Sequence, residues 1–265
     1  MGERLLRELR DGVLLLTWNR PERKNAFDDA AWLAFRDALE AAREARDVAV
    51  VVVTGAGGDF SAGVDLASFR AAVGLAGLPA AAAPHPFELC MRALVAFYKP
   101  LLAAARGVAV GFGATFLFHC DAVYAGESLR LRLPFVSLGL VPEAGASFLL
   151  PALVGPRRAA ELLFTAEWVD AARALEVGIA TRVLPDAELL DAALARAREM
   201  ARWPVSALQA TKQALLRSRA AGVRAALETE AELMAQLAGS PENVEAVVAF
   251  LHKRPPDFAR FRGGS

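Results

Sequence analysis

Val48-Ala49-Val50-Val51-Val52-Val53, running into Thr54-Gly55-Ala56-Gly57-Gly58-Asp59-Phe60-Ser61-Ala62-Gly63-Val64-Asp65-Leu66, is the stretch on which the fold depends. An unbroken run of apolar, mostly β-branched residues lacks the alternation of a half-exposed strand. It marks a strand covered on both faces, as in a parallel sheet. Parallel strands need crossover helices, and the flanks supply them. Upstream, Leu5–Leu9 and Val13–Trp18 read as strands joined across Asp11-Gly12, and Asn19-Arg20-Pro21 as a turn. Asp28 caps a helix reaching about Ala45, with Trp32, Phe35, Ala38 and Leu39 at helical spacing. Downstream come a helix over Phe87–Phe97, a break at Lys99-Pro100, a strand at Leu101–Ala105, a helix at about Gly113–His119 and a strand at Ala122–Ala125.

From about Pro185 the strand signals stop. Helices are expected over Asp186–Ala201, Pro204–Arg219, Gly222–Ala238 and Pro241–Leu251, dividing the chain into an α/β core, 1–185, and a helical C-terminal region, 186–265. Ala71–Pro86, rich in Ala, Gly and Pro, reads as a mobile loop.

In the 265 residues, 30 Lys+Arg balance 30 Asp+Glu, so no bulk charge draws the chain to nucleic acid or anionic lipid. A hydrophobic fraction of 55% exceeds the soluble norm and points to buried subunit surface. Cys90 and Cys120, with no C-x-x-C spacing and no His cluster, support neither a disulfide framework nor a metal site and read as buried apolar residues. No run is long enough for a membrane span. With Glu3, Glu8 and Asp11 among its arginines, the N-terminus resembles no targeting peptide, so a cytoplasmic location is expected.

Two glycine-rich turns carry the chemistry: the one quoted above and Gly107-Val108-Ala109-Val110-Gly111-Phe112-Gly113-Ala114-Thr115. Gly55-x-Gly57 is a poor dinucleotide fingerprint, because Phe60 stands at its sixth position and the helix is delayed to about Asp65. Both turns lead into helix starts, where free N–H groups and the positive end of the dipole could converge on one oxyanion. Either alone is equally an ordinary strand-to-helix connection.

Asn19-Arg20-Pro21 with Asn25-Ala26-Phe27, Phe60–Leu66, Gly111-Phe112-Gly113 running to Cys120-Asp121, and Leu138-Gly139-Leu140-Val141-Pro142-Glu143-Ala144-Gly145 together resemble the crotonase, or enoyl-CoA hydratase/isomerase, superfamily. Leu153-Val154-Gly155 to Val177-Gly178-Ile179-Ala180 and the terminal Phe250–Arg254 extend the match over nearly the whole chain. The resemblance implies a spiral of β-β-α turns, a C-terminal trimerisation region giving a homotrimer or dimer of trimers, and an acyl-CoA thioester as substrate. No separate cofactor is implied, because coenzyme A is part of the substrate.

Carried over residue by residue, the resemblance makes the N–H groups of Val64 and Phe112 the two oxyanion donors. Many members have glycine where Phe112 stands, and this side chain is expected to shape the acyl pocket. Arg23, Lys24, Ala26, Ala62, Gly63, Asp65, Leu66 and Gly113 fall at the CoA-binding and oxyanion turns, with Asp65 also suited to cap its helix. Phe135 and Leu138, with Val136, fall at the acyl pocket, and Phe250 and Lys253 are expected to reach in from a neighbouring subunit. Arg23 and Lys24 suit phosphates and are equally ordinary surface charge.

The two glutamates of family hydratases correspond to Thr115 and Phe135, neither able to move a proton as a carboxylate does. Glu143 stands where family isomerases of the 3-enoyl to 2-enoyl type place their acid. Apolar neighbours would raise its pKa, and as a plain residue it would be a helix-start charge satisfying the dipole. The expectation is an acyl-CoA double-bond isomerase using Glu143. The alternatives are a hydratase with unrecognised groups, an isomerase of a cyclic thioester from aromatic catabolism, and a non-catalytic acyl-CoA-binding paralogue. His119, beside Cys120, reads as a packing histidine.

Overall fold

Val50–Gly55 (β3) splits its side chains between two cores: Val51 and Val53 enter one hydrophobic cluster, Val50 and Val52 another on the opposite face. That period-two division of an all-apolar run is the physical content of a doubly covered strand. The computed structural model describes residues 3–65 and 84–262. Leu5–Arg10 (β1) and Val13–Trp18 (β2) form the antiparallel hairpin expected across Asp11-Gly12, and β2 pairs in parallel with β3 from Val13↔Val50 to Trp18↔Gly55. That register carries β3 two residues past the expected end. Leu101–Ala105 (β4), Ala122–Gly126 (β6) and Arg182–Leu184 (β9) continue the sheet in parallel, in the order β1-β2-β3-β4-β6-β9. A second sheet joins Val108–Val110 (β5), Arg130–Arg132 (β7) and Trp168–Asp170 (β8), in that order. The strands absent from the sequence reading, β5, β7, β8 and β9, have three residues each, too few to show a period.

Asp29–Glu44 (α1) is capped by the Asp28 carboxylate, which accepts the Ala31 N–H at 2.9 Å, and buries Trp32, Phe35, Ala38, Leu39 and Ala42. Pro86–Val95 (α2) packs beside it. The helix expected at Gly113–His119 is a single α-turn, Phe112–Thr115 (α3), tightening into a 3-10 turn at Phe116–His119. Ala146–Val154 (α4), Pro156–Thr165 (α5) and Ala171–Glu176 (α6) follow. The helix expected to begin after Asp65, Leu66 itself and the Ala71–Pro86 loop as far as residue 83 lie outside the described residues.

Leu189–Ala201 (α7) covers the second face of the large sheet, setting Leu189, Ala193 and Ala197 against Val50, Val52, Leu102 and Tyr124. It is therefore part of the α/β layering although it lies beyond residue 185. The two helices expected over Pro204–Arg219 and Gly222–Ala238 are one continuous helix, Val205–Leu237 (α8). Gly222 is no break: a Cβ there would collide with the Phe148 ring, so the glycine lets α4 and α8 approach. Pro241–Leu251 (α9) matches its expected bounds, with Ser240 as N-cap. Cys90 is buried as expected, whereas Cys120, at the end of the 3-10 turn, is only half-buried. Among the described residues no helix is long and apolar enough to cross a membrane.

Candidate active site

Asn25 holds the first turn to the second. It has φ +54° and is almost fully buried. Its Oδ1 accepts the Arg20 N–H at 2.9 Å, while its Nδ2 donates to the carbonyls of Ala56 (2.9 Å) and Asp59 (2.8 Å). Its own carbonyl accepts the Ser61 hydroxyl, whose oxygen in turn accepts the Gly63 N–H at 3.1 Å. The Arg20 guanidinium closes the same knot, donating to the Ala26 carbonyl and pairing with Asp65 at 2.7 Å. Polar groups cross-linked this densely act as a rigid brace, although the buried Arg20 Nε has no hydrogen-bond partner among the described residues.

The brace leaves particular N–H groups free. Phe27 donates to the Gly63 carbonyl and Asp65 donates back to Phe27, a parallel bridge in which the Val64 N–H points away from the partner strand. A second bridge, Ser61 to Ala109, docks this turn on β5. Gly63 (φ +79°) lies so close to the next turn that a Cβ would stand 2.5 Å from the Val110 carbonyl oxygen and 3.1 Å from the Phe112 nitrogen. Phe112 is the first residue of α3, whose N–H has no intrahelical partner. Among the described residues, neither the Val64 nor the Phe112 N–H meets an acceptor.

Glu143 sits on a different kind of turn. The segment leaves the 3-10 turn Val136–Leu138 through Gly139, passes Ala144 at φ +61° and Gly145 at φ +74°, and enters α4. Ala144 is pinned by His119, whose Nε2 bonds its carbonyl at 2.8 Å. A carbonyl only accepts, so Nε2 carries the proton. Burial holds the ring's pKa down at about 4, and the histidine stays neutral. Gly145 and Ser147 donate their N–H groups, at 2.7 and 2.8 Å, to the two carboxylate oxygens of Glu230 on α8. Glu143 itself is half-buried, and its pKa is pushed up to about 8, first by burial and then by the Glu230 charge.

A family model described as enoyl-CoA hydratase/isomerase matches residues 8–260. The chain belongs to this family. Its sequence is 39% identical over 246 residues to a 2,3-dehydroadipyl-CoA hydratase of Escherichia coli strain K12, covering 93% of this chain and 94% of that protein. It is 33% identical over 259 residues to a 1,2-epoxyphenylacetyl-CoA isomerase of the same strain, covering 97% and 99%. A solved enoyl-CoA hydratase/isomerase from Pseudoalteromonas atlantica T6c superposes with a TM-score of 0.89 at 34% identity, over 96% of this chain and 99% of that one. The architecture is the crotonase fold with a helical C-terminal region, and the protein is an acyl-CoA enzyme of the enoyl-CoA hydratase/isomerase family.

The remaining family positions fall in three groups. Arg23, Lys24, Ala26, Ala62, Gly63, Asp65 and Gly113 all lie on the braced turns. Arg23 and Lys24 are exposed, Lys24 pairing with Asp59 at 3.3 Å. The Ala62 N–H donates to the Lys24 carbonyl at 2.8 Å. Phe135 is buried and Leu138 half-buried, on the segment leading to Glu143. Phe250 is 58% exposed near the end of α9, with Lys253 just beyond it.

Thr115 and Phe135 are both buried. The Phe112 ring, expected to shape the acyl pocket, is instead a core ring packed against Phe27, Trp32 and Phe116 with centroids 4.5 to 6.0 Å apart. It belongs to an aromatic cluster that includes Trp18 and Phe35, so the side chain anchors α3 while the N–H stays free. Arg20, Asn25, Ser61 and Glu230, whose hydrogen bonds hold these turns, were not assigned by the sequence reading.

Proposed function

We propose that the protein is an isomerase that shifts the double bond of a 3-enoyl-CoA to the 2-position, with Glu143 as its one proton carrier. The observation that carries this is Glu143 itself: a half-buried carboxylate held near pKa 8 on a strained turn, in a chain whose family-hydratase positions are Thr115 and Phe135. As carboxylate, Glu143 takes a proton from C2. The electrons of that C–H bond move into the thioester, giving a dienolate whose oxygen accepts from the Val64 and Phe112 N–H groups. The resulting carboxylic acid returns the proton to C4, and the double bond ends between C2 and C3 with no net proton exchanged. A pKa near neutrality suits a group that must both take and give. Each preorganised N–H donor in such a site is worth about 3 kcal/mol of barrier. Arg23 and Lys24 suit the CoA phosphates, and the exposed Val244, Phe250 and Leu251 of α9 suit a contact with another copy.

The hydratase relative favours a second reading, water addition to a 2-enoyl-CoA. That reaction needs two proton-transfer groups, and the nearest second carboxylate, Glu230, has both oxygens engaged by backbone N–H groups. The isomerase relative leaves room for a ring-bearing acyl group. Purified protein given a 3-enoyl-CoA is expected to yield the 2-enoyl-CoA, and Glu143→Gln to lose at least about 1,000-fold of that rate while keeping its fold. Full activity in the variant overturns the role of Glu143. Hydration without migration favours the hydratase, and CoA binding with neither reaction favours a non-catalytic paralogue.

A further inference from the structure

We infer that Glu230 is a positioning residue for the Glu143 proton carrier, tying down its turn and setting a buried negative charge behind it; this rests on the isomerase reading above. Glu230 lies on α8 and is 5% exposed. Its carboxylate spans the start of α4, taking the Gly145 and Ser147 N–H groups on separate oxygens. Those two amides are orphan donors of the first helical turn, and an anion there is favoured by the helix dipole as well.

The geometry decides which of the two acids holds a proton. Glu230 receives two N–H donors, which favour its ionised form and which a protonated carboxyl oxygen would meet with its own hydrogen. Among the described residues no donor reaches Glu143. Burial raises the Glu230 pKa as well, but its N–H donors pull against that rise and no donor among the described residues does so at Glu143, so Glu143 takes the proton while Glu230 keeps its charge. The other titratable groups on the elements packed here are the neutral His119 on the 3-10 turn and, on α8, Lys212 and Arg219, whose charges act on His119. Lys212 is itself paired with Asp121. Among the described residues, burial and the Glu230 charge are what act on Glu143.

The test is the pH dependence of kcat/KM with a 3-enoyl-CoA. Because the carboxylate is the active form, the wild-type rate is expected to climb with pH up to about 8, only about 3% of Glu143 being ionised at pH 6.5 if its pKa is 8. In Glu230→Gln the limb is expected to move to lower pH, so that the ratio of the rate at pH 6.5 to that at pH 8.5 rises severalfold. Glu230→Asp, which keeps the charge, is expected to leave the limb in place. A Glu230→Gln limb that stays put while kcat falls overturns the inference and leaves Glu230 a structural cap. If Glu143→Gln is fully active, the isomerase reading fails instead. Should Glu230→Gln not fold, the coupling is read in wild type. The Glu230 carboxyl ¹³C resonance is expected to show a second step near pH 8, as Glu143 ionises, and to lose it in Glu143→Gln; no such step overturns the inference.

Discussion

The braced turns and the Glu143 turn solve opposite problems. Around Asn25, Ser61 and Gly63 the Asn25 amide and the Ser61 hydroxyl are tied to other segments of the chain, and among the described residues the Val64 and Phe112 N–H groups are left over. Their dipoles are fixed and do not depend on pH. Around Glu143 the backbone is pinned at Ala144, Gly145 and Ser147, but the carboxyl group receives no donor among the described residues and faces another carboxylate. One region supplies a permanent field and the other a group that is easy to protonate. An enolate-forming enzyme needs both, and needs them built differently, because the donors must not reorganise while the acid must change state.

The largest effect is expected from pushing the braced turns apart. In Gly113→Ala a Cβ would overlap the Ser61 carbonyl oxygen and crowd its Cβ, both belonging to a main chain held by two bridges. We expect a loss on the order of 3 kcal/mol in denaturant unfolding and a fall in kcat of about 100-fold or more, as the Phe112 N–H leaves its place. An alanine variant with wild-type kcat would mean that the two turns need no such register.

Asn25→Ala breaks the brace without adding bulk. It removes three hydrogen bonds and strips a half-buried carbonyl pair of its donor, so about 2 kcal/mol of stability should go. The rate should fall at all pH values alike, because Asn25 does not touch the ionisation of Glu143. A shifted pH limb in this variant would erase the distinction between the two regions.

That distinction also governs what could be read from sequence. The braced turns show through because backbone demands select residue types: glycine at the close approaches of Gly63 and Gly113, and alternation-free valines in a doubly covered strand. The Glu143 turn showed only its acid. Glu230, the partner inferred to tune it, lies 85 residues beyond Gly145 in the chain, between Glu228 and Glu232 on α8. One signal was present, since Val223, Ala226 and Glu230 share a face at helical spacing and are the buried positions there. A carboxylate on an otherwise apolar stripe is a group with a partner to find. The expected helix over Gly222–Ala238 already held all three positions, but its surface charges, among them Glu228 and Glu232, gave Glu230 no mark of its own. The three-residue strands of the second sheet were lost for a simpler reason, having too few residues to display a period.

His119 gives the smallest and most specific contrast. Its folded pKa of about 4 lies below the 6.5 of a free imidazole, because burial disfavours the charged ring, with Arg219 and Lys212 adding repulsion. A base with a depressed folded pKa stabilises the fold above its unfolded pKa, and that contribution drains away as pH falls from 6.5 toward 4. Wild type should therefore lose about 1 kcal/mol relative to His119→Gln between pH 7.5 and pH 5.5, read as a narrowing of the gap between their melting temperatures. Glu143 works in the other direction, its raised pKa stabilising the fold at low pH and ceasing to do so as pH climbs from 4.5 through 8. Catalysis in His119→Gln should keep the wild-type pH limb, since the imidazole is neutral throughout the working range and the glutamine amide can still donate to Ala144. If the limb moves with His119, the histidine is part of the proton path, and Glu143 is not the lone carrier.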